Sequence, residues 1–319
     1  MSVKRKKLLI DTDAGVDDAQ AILIALQDPD VDVIGITCVM GNADAKQVGL
    51  NVLRILKVAD KLDIPVFVGC NDPLLGDKKP ASDYHGSDGF GDAPDKEAPD
   101  ESLLQSEHAV TALVRLAKEH EGEMTLVCIG PLTNVAMAIR MDGTFGSRLK
   151  GCYIMGGNHE GKGNMTTSAE FNFYSDPEAA YVVLNQLKSP ITIVTWETCD
   201  RHSLPWDWFQ TFHHSQTVFG LFLSNIEKSV ISNFYQPFFD QGICKNYEVV
   251  DQYAVASAIF DDVIIEGDAV YASVELRSPL TRGQMVVDWS NVTGNEHNVR
   301  IVKKINTEVI EEKLQKVVS

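Results

Sequence analysis

Leu8-Leu-Ile-Asp-Thr-Asp-Ala-Gly-Val-Asp-Asp-Ala-Gln-Ala-Ile22 is the stretch on which the reading of this 319-residue chain turns. Leu8–Asp11 is a short apolar run of strand character, and beyond Gly15 the apolar residues return as a helix. Between them lie Asp11, Asp13, Asp17 and Asp18, four carboxylates in eight residues with no Lys or Arg in the window. The dipole of a helix favours acids in its first turn, which accounts for one or two of them. Four crowded at the carboxyl end of a strand repel one another unless a cation sits among them. Calcium and magnesium take carboxylate and carbonyl oxygens. Open α/β sheets, moreover, bind ligands beyond the carboxyl ends of their strands. The segment therefore points to a metal site.

Outward from it, Val- and Ile-rich runs alternate with helical patterns. Val33–Val39, Pro65–Val68, Thr125–Ile129, Cys152–Met155 and Ile191–Trp196 read as buried parallel strands, with Leu8–Asp11 as the first. Val48, Val52, Ile55, Leu56 and Ala59 share one helix face, and Val110, Leu113, Val114 and Ala117 share another. Ser175-Asp-Pro-Glu178 has the form of a capping box with proline just inside the helix. This alternation predicts an α/β fold, a mostly parallel open sheet with helices on both faces. No linker or internal repeat interrupts it, so a single domain over 1–319 is expected.

Two stretches break the rhythm. Asn71–Asp100, rich in Asp, Gly, Pro and Lys, is too long for an ordinary connection and is expected to form an active-site lid. Thr198–Gln252 begins with aromatics and holds one long helical pattern, which breaks up around Phe234-Tyr-Gln-Pro-Phe-Phe239.

The net charge of −17 argues against nucleic acid or an anionic membrane as partner, and suits a neutral ligand or a cation. The apolar run after the basic N-terminus is too short for a signal peptide, and no run reaches the length of a membrane span. Without a secretory route, Asn164 and Asn291 of the two Asn-x-Thr matches carry no glycosylation meaning. The six cysteines (38, 70, 128, 152, 199 and 244) show no metal-ligand spacing and read as reduced thiols of a cytoplasmic protein.

Asp11-Thr-Asp13-Ala-Gly15-Val-Asp17-Asp18-Ala19 resembles the N-terminal signature of the nucleoside hydrolase family, with Ala14 where proline is usual. The resemblance runs on through Val39-Met-Gly-Asn42, Gly130-Pro-Leu-Thr-Asn-Val-Ala136 and Met155-Gly-Gly157. Gly163-Asn164, Ser168-Ala-Glu170-Phe-Asn172, Ser175-Asp-Pro-Glu-Ala179, Asp251 and Thr281-Arg-Gly283 complete it. Each motif is weak alone; their joint order along nearly the whole chain is specific.

The resemblance implies the family's Rossmann-like core and a calcium-dependent hydrolysis of ribonucleosides to ribose and a free base. It implies Asp13, Asp18, Asp251 and the carbonyl of Ile129 as Ca²⁺ ligands, with Asp13 also the general base. Asp17, Asn42, Met155, Asn164, Glu170 and Asn172 would hold the ribose. A homo-oligomer, dimer or tetramer, is implied as well. Asn164 and Asn172 by themselves suggest only turn chemistry, whereas Glu170, between apolar neighbours, would be costly if buried without a partner.

The match departs at the leaving base. Many relatives carry a histidine just before the late aspartate as general acid, and a purine-preferring branch has a tryptophan there; this chain has Val250. His85, in Tyr84-His-Gly-Ser-Asp-Gly89, is the remaining candidate acid, and the base preference stays open. Three other readings compete. A riboside-binding protein without turnover keeps the same fold. A haloacid dehalogenase-type phosphotransferase also starts strand–Asp-x-Asp, but expects Thr or Val where Gly15 stands. Gly156-Gly-Asn-His-Glu-Gly161-Lys-Gly163 nearly spells a phosphate-binding loop, yet lacks its final Ser or Thr.

Overall fold

The computed structural model describes residues 5–79, 82–95, 98–243 and 245–319. Thirteen strands are seen among them. In chain order they are β1 Lys6–Thr12, β2 Val31–Cys38, β3 Val66–Val68, β4 Leu104–Gln105, β5 Met124–Cys128, β6 Gly151–Met155 and β7 Ile191–Val194. There follow β8 Leu204–Pro205, β9 Asn246–Tyr247, β10 Ile264–Val270, β11 Ala272–Val274, β12 Met285–Val287 and β13 Val299–Ile305. The helices of the first half are α1 Val16–Gln27, α2 Ala45–Val58, α3 Ser82–His85, α4 Ala109–Glu119 and α5 Thr133–Met141. Those of the second half are α6 Phe171–Ser175, α7 Pro177–Gln186, α8 Trp196–Arg201, α9 Trp206–His213, α10 Val218–Val230, α11 Gln236–Asp240, α12 Asp251–Ile259 and α13 Thr307–Val317.

Nine strands form one sheet in the order β10-β13-β7-β6-β5-β1-β2-β3-β4, all parallel except the β10–β13 pair. Side chains alternate between its faces as the period-2 pattern requires. Leu8, Ile10, Val127 and Ile129 enter the core beneath α1, α10, α12 and α13, whereas Leu9, Leu126 and Cys128 enter the core beneath α4, α5 and α7. The chain leaves β1 toward β2, β3 and β4, then returns to place β5 on the other side of β1. That reversal opens a crevice between the carboxyl ends of β1 and β5, the usual ligand position of an open α/β sheet.

All six expected strands exist, with ends shifted by one or two residues; the shift that changes an element is at β7, which ends at Val194 while Trp196 already opens α8. The helix after Phe173 is capped by Asp176, whose side chain accepts from Ala179 N at 3.0 Å, and not by Ser175. The long helical pattern is α10, continued through a π-turn at Ile231–Tyr235 into α11. Pro237 explains the break, since its ring displaces the carbonyl four residues earlier and it has no N–H to donate.

The expected lid is firmly seated over much of its length. Pro80, Ala81, Lys96 and Glu97 lie outside the described residues, as does Cys244. Of the rest, Phe90 is fully buried and meets Phe222 edge-on. Asn51 Nδ2 donates to Ala14 O at 3.1 Å and Asp88 O at 2.7 Å, tying the segment to the signature turn. The buried Arg54 guanidinium lies over the Phe90 ring, donates to Ala93 O at 3.1 Å, and pairs with Asp88 and Asp95 at 3.6 and 3.3 Å.

Arg54→Met keeps the packed stem and removes these polar contacts. It should cost about 1–3 kcal/mol, as expected when buried partners lose their donor. Hydrogen exchange should rise selectively over residues 84–95. Unchanged exchange there would mean that Phe90 and Asn51 hold the segment alone.

Candidate active site

The signature turn follows β1 directly. Ala14 has φ 30°, a left-handed conformation that a proline ring forbids, so the absence of proline here matches the local backbone. Asp18 stands in the first turn of α1, where Oδ2 accepts from Gly15 N at 2.7 Å and Oδ1 from Thr12 Oγ1 at 2.5 Å. Asp13 Oδ2 accepts from Asn42 N at 2.9 Å, and Asn42 Nδ2 reaches Asp18 Oδ2 at 3.4 Å. The motif glycines make this approach possible. A Cβ on Gly41 would lie 2.0 Å from Asp13 Oδ2, and one on Gly15 would lie 2.6 Å from both Asn42 Nδ2 and His85 Nδ1.

From the far end of the chain, the start of α12 brings Asp251 to the same place. Carboxylate oxygens of Asp17, Asp18 and Asp251 lie within 4.8 Å of one another. Burial pushes the Asp18 carboxyl up to about 8, with the charge of Asp17 adding to it. Burial, then Asp18, hold Asp13 well above the usual carboxylate range, and burial followed by Asp17 and Asp18 does the same to Asp251. Asp13 Oδ1 and Asp17 Oδ1 are buried and have no hydrogen-bond partner among the described residues. Buried acceptors without donors, massed with no cation between them, are the donor set of a hard metal ion.

Asp11 is different. Its Oδ2 accepts from Thr37 Oγ1 at 2.6 Å and Asn134 Nδ2 at 2.9 Å, and Asn134 bonds on to Cys38 O and Cys70 N. It pins β1, β2 and α5 together and does not line the cavity described next. Burial raises it to about 7.

A cavity of about 380 Å³ opens above the acids. Asp13, Asp17, Asn42, His85, Ile129, Met155, Asn164, Glu170, Asn172 and Asp251 all line it, and Asp18 alone of the expected site residues sits behind its wall. Asn164 Oδ1 accepts from Phe171 N at 2.9 Å, which leaves its amide group as donor. Asn172 Nδ2 donates to Met155 O at 3.2 Å, which leaves its oxygen as acceptor. Glu170 is buried but well partnered: it caps α6, accepting from Asn172 N, Phe173 N and Gly157 N at 2.7, 3.0 and 2.8 Å. Burial nevertheless raises it to about 7. Val250 lines the cavity too, with Tyr84, Met165, Phe171, Trp196 and Glu248. Phe171 stands inside the Ser168–Asn172 motif without having been singled out, whereas Met165 and Glu248 match no motif, and the sequence offered no signal for them.

His85 is buried and its Nδ1 accepts from Val16 N at 3.3 Å. That bond places the proton of the neutral ring on Nε2. Burial lowers the pKa of His85, although Asp17 pulls the other way. The glycine-rich loop after β6 also proves to be scaffold. Backbone N–H groups of His159, Glu160 and Lys162 donate to the Glu197 carboxylate at 2.8, 2.8 and 3.2 Å, so a protein carboxylate occupies the nest that a phosphate loop reserves for its ligand. Burial opposes its charge, but these bonds and His159 outweigh burial and hold Glu197 down at about 2.

Comparison with known proteins gives the chain's family. A family model described as inosine-uridine preferring nucleoside hydrolase matches residues 8–312. Uridine nucleosidase 1 of Arabidopsis thaliana is 40% identical over 193 residues, an alignment covering 60% of this chain and 56% of that protein. This chain therefore matches just over half the length of that plant relative. The inosine-uridine preferring nucleoside hydrolase of Leishmania major is 32% identical over 89% of this chain and 88% of its own. Among solved structures, an inosine-guanosine nucleoside hydrolase superposes with a TM-score of 0.89 at 31% identity, over 98% of both chains.

The raised carboxyls set the pH response of the metal-free protein. A folded-state pKa of about 7 or 8, against an ordinary 3.8 for Asp, means that the fold binds these protons more tightly than the unfolded chain does. Their stabilisation is whole below about pH 4 and is lost as pH rises to about 8. Chelator-treated protein should thus melt at lower temperature at about pH 8 than at about pH 5, and calcium should raise the melting temperature more at the higher pH. A calcium-independent melting temperature at both pH values would remove the cation site.

Proposed function

The chain belongs to the inosine-uridine preferring nucleoside hydrolase family, and from that premise we propose that it hydrolyses the N-ribosidic bond of ribonucleosides with Ca²⁺ in its acidic site. The observation that carries this reading is the convergence of Asp13, Asp17 and Asp251 on one cavity, with Asp18 behind them and two buried carboxylate oxygens unpartnered.

Asp13, Asp18, Asp251 and the Ile129 carbonyl would hold the ion, with Asp17 beside them. Calcium would supply the positive charge that offsets repulsion among the carboxylates and acidifies an adjacent water. Asp13 Oδ2 is held by Asn42 N, so Oδ1, which has no partner among the described residues, would be the atom to take the proton of the attacking water. As the bond to the base breaks, positive charge develops on the ribose, and the surrounding carboxylates stabilise it. Asp17 and Asn42 would bind ribose hydroxyls with the Asn164 amide, the Asn172 oxygen and the Met155–Glu170 wall. Groups placed for those hydroxyls are left unpaired by a deoxyribonucleoside, which should be a poor substrate. His85 would donate a hydrogen bond from Nε2 and position the substrate. A cytoplasmic homo-oligomer without nucleic-acid or membrane partners completes the reading; among the described residues no helix is long and apolar enough to cross a membrane.

One feature favours a second reading. Val250 lines the cavity and has no proton to give to a leaving base, as in a protein that binds ribosides without cleaving them.

Base release from a panel of ribonucleosides decides between the two, and exhaustive chelation should abolish it until calcium is restored. Asp13→Asn keeps the shape and removes the base, so turnover should fall by roughly a hundredfold or more with the circular dichroism spectrum unchanged. Near-normal turnover in that variant would overturn the role of Asp13.

His85→Ala separates proton donation from positioning. A positioning role lowers turnover of inosine and of p-nitrophenyl riboside, whose leaving group needs no proton, by similar factors. Loss confined to inosine would make His85 the general acid.

A further inference from the structure

Glu248 is an acid on the cavity wall that the mechanism above leaves unused. It follows β9 in an extended segment, and burial alternates along it: Tyr247 and Val249 point into the core, whereas Glu248 and Val250 are half-buried and line the cavity. The core-facing partners hold this segment in register. Tyr247 stacks on Phe209 with ring centroids 3.8 Å apart, and its hydroxyl accepts from Gln20 Nε2 at 2.8 Å. Val250 N donates to Gln252 Oε1 at 2.9 Å, and Gln252 Nε2 donates to Gln20 Oε1 at 2.8 Å. The wall carrying Glu248 is therefore rigid, and Asp251 begins immediately after it.

The Glu248 carboxyl makes no hydrogen bond and no ion pair with the described residues, although most of its surroundings are protein. Burial, followed by the charges of Asp200 and Asp17, raises its pKa, and no cation counters them. A half-buried polar group with free hydrogen-bonding capacity, on a rigid wall of a ligand cavity, has the ligand as its natural partner. Val250, Tyr84 and Trp196 line the same cavity and offer mostly ring and methyl surface, which suits a planar heterocycle. The ribose side is already provided for by Asp17, Asn42, Asn164 and Asn172.

We propose that Glu248 hydrogen-bonds the base of the bound nucleoside, on the wall where position 250 offers only a valine. This rests on the ribonucleoside reading given above. The ligand class it selects is a purine or pyrimidine with ring N–H or exocyclic amino donors at its edge, and the residue bears on the ranking of bases more than on the ribose chemistry.

The test compares wild type, Glu248→Ala and Glu248→Gln in calcium buffer, with kcat/KM for inosine, guanosine, uridine, cytidine and p-nitrophenyl riboside. For at least one nucleoside Glu248→Ala should lose roughly ten- to hundredfold, the range for one strong hydrogen bond, and the ranking of bases should change. Glu248→Gln, which keeps an acceptor oxygen, should recover part of it, and p-nitrophenyl riboside should stay within about threefold of wild type. Equal loss on all five substrates, or no change on any, overturns the proposal. If wild type cleaves none of them, the hydrolase reading fails, and calorimetric Kd values for the nucleosides and for ribose decide on Glu248 alone. Weaker nucleoside binding at unchanged ribose binding supports it; weakening of both, or of neither, overturns it.

Discussion

Like-charge crowding at the carboxyl end of the first strand is the constraint around which this protein is arranged. Asp13, Asp17, Asp18 and Asp251 are brought together with no lysine or arginine among them in the described residues, and burial makes their charge costly. The fold answers in part. Backbone N–H groups of Gly15 and Asn42, the Thr12 hydroxyl and the Asn42 amide each satisfy one lone pair. Gly41 and Gly15 give way so that these donors can approach. What the fold leaves undone, the bare oxygens of Asp13 and Asp17, is what a cation and a substrate can complete. Stability and chemistry are thus set by the same few atoms.

The residues that carry the family resemblance divide into two groups on inspection of their partners. One group faces the cavity: Asp13, Asn42, Asn164, Glu170, Asn172 and Asp251. The other holds the walls in place. Thr133 Oγ1 and Leu74 N donate to the Asp176 carboxylate, which also caps α7. Arg282 bonds Glu178 at 2.7 Å and the Leu276 carbonyl at 2.6 Å, and Ser168 Oγ bonds the Leu280 carbonyl at 2.6 Å, so the late turn supports the loop that carries Asn164. Glu197 fixes the glycine-rich loop from the other side. Glu170 belongs to both groups, since its carboxylate caps a helix while lining the site.

The cavity lining is of two kinds, and the ribonucleoside reading would use them differently. Asp17, Asn42, Asn164 and Asn172 would meet the ribose, and Tyr84, Trp196, Val250 and Glu248 would meet the base. Tyr84 Oη is bonded to Tyr235 Oη at 3.1 Å, and its ring lies 5.1 Å from that of Phe234. Apolar walls discriminate weakly among flat heterocycles, so selectivity among bases would fall to the few polar groups present. Arg54 and Asn51 clamp the segment bearing His85, so that side of the cavity is held by the protein itself.

The strand–helix alternation of a mostly parallel sheet and the acidic cluster after the first strand were legible in the sequence, because both are local. Strand runs and helix faces repeat at fixed periods, and four acids in eight residues cannot be explained by helix dipoles alone. One flank was less legible: the edge strand β10 and its antiparallel neighbour β13 mix charged and apolar residues, since both are partly exposed and lack the continuous apolar signature. The cap of α7 fell one residue from its expected place, since several side chains in Ser175–Glu178 offer similar capping chemistry and only backbone geometry selects Asp176. Glu248 was invisible because a lone glutamate has no motif; its meaning comes from alternation against Tyr247 and Val249 and from the wall behind it. Glu227 and Gln20, bonded across 207 positions of sequence, show the same limit. The sequence by itself determined which chemical groups are present and which local structure carries them. Tertiary structure alone decided which of those groups are left without partners, because hydrogen-bond satisfaction depends on neighbours that the chain brings together from far apart.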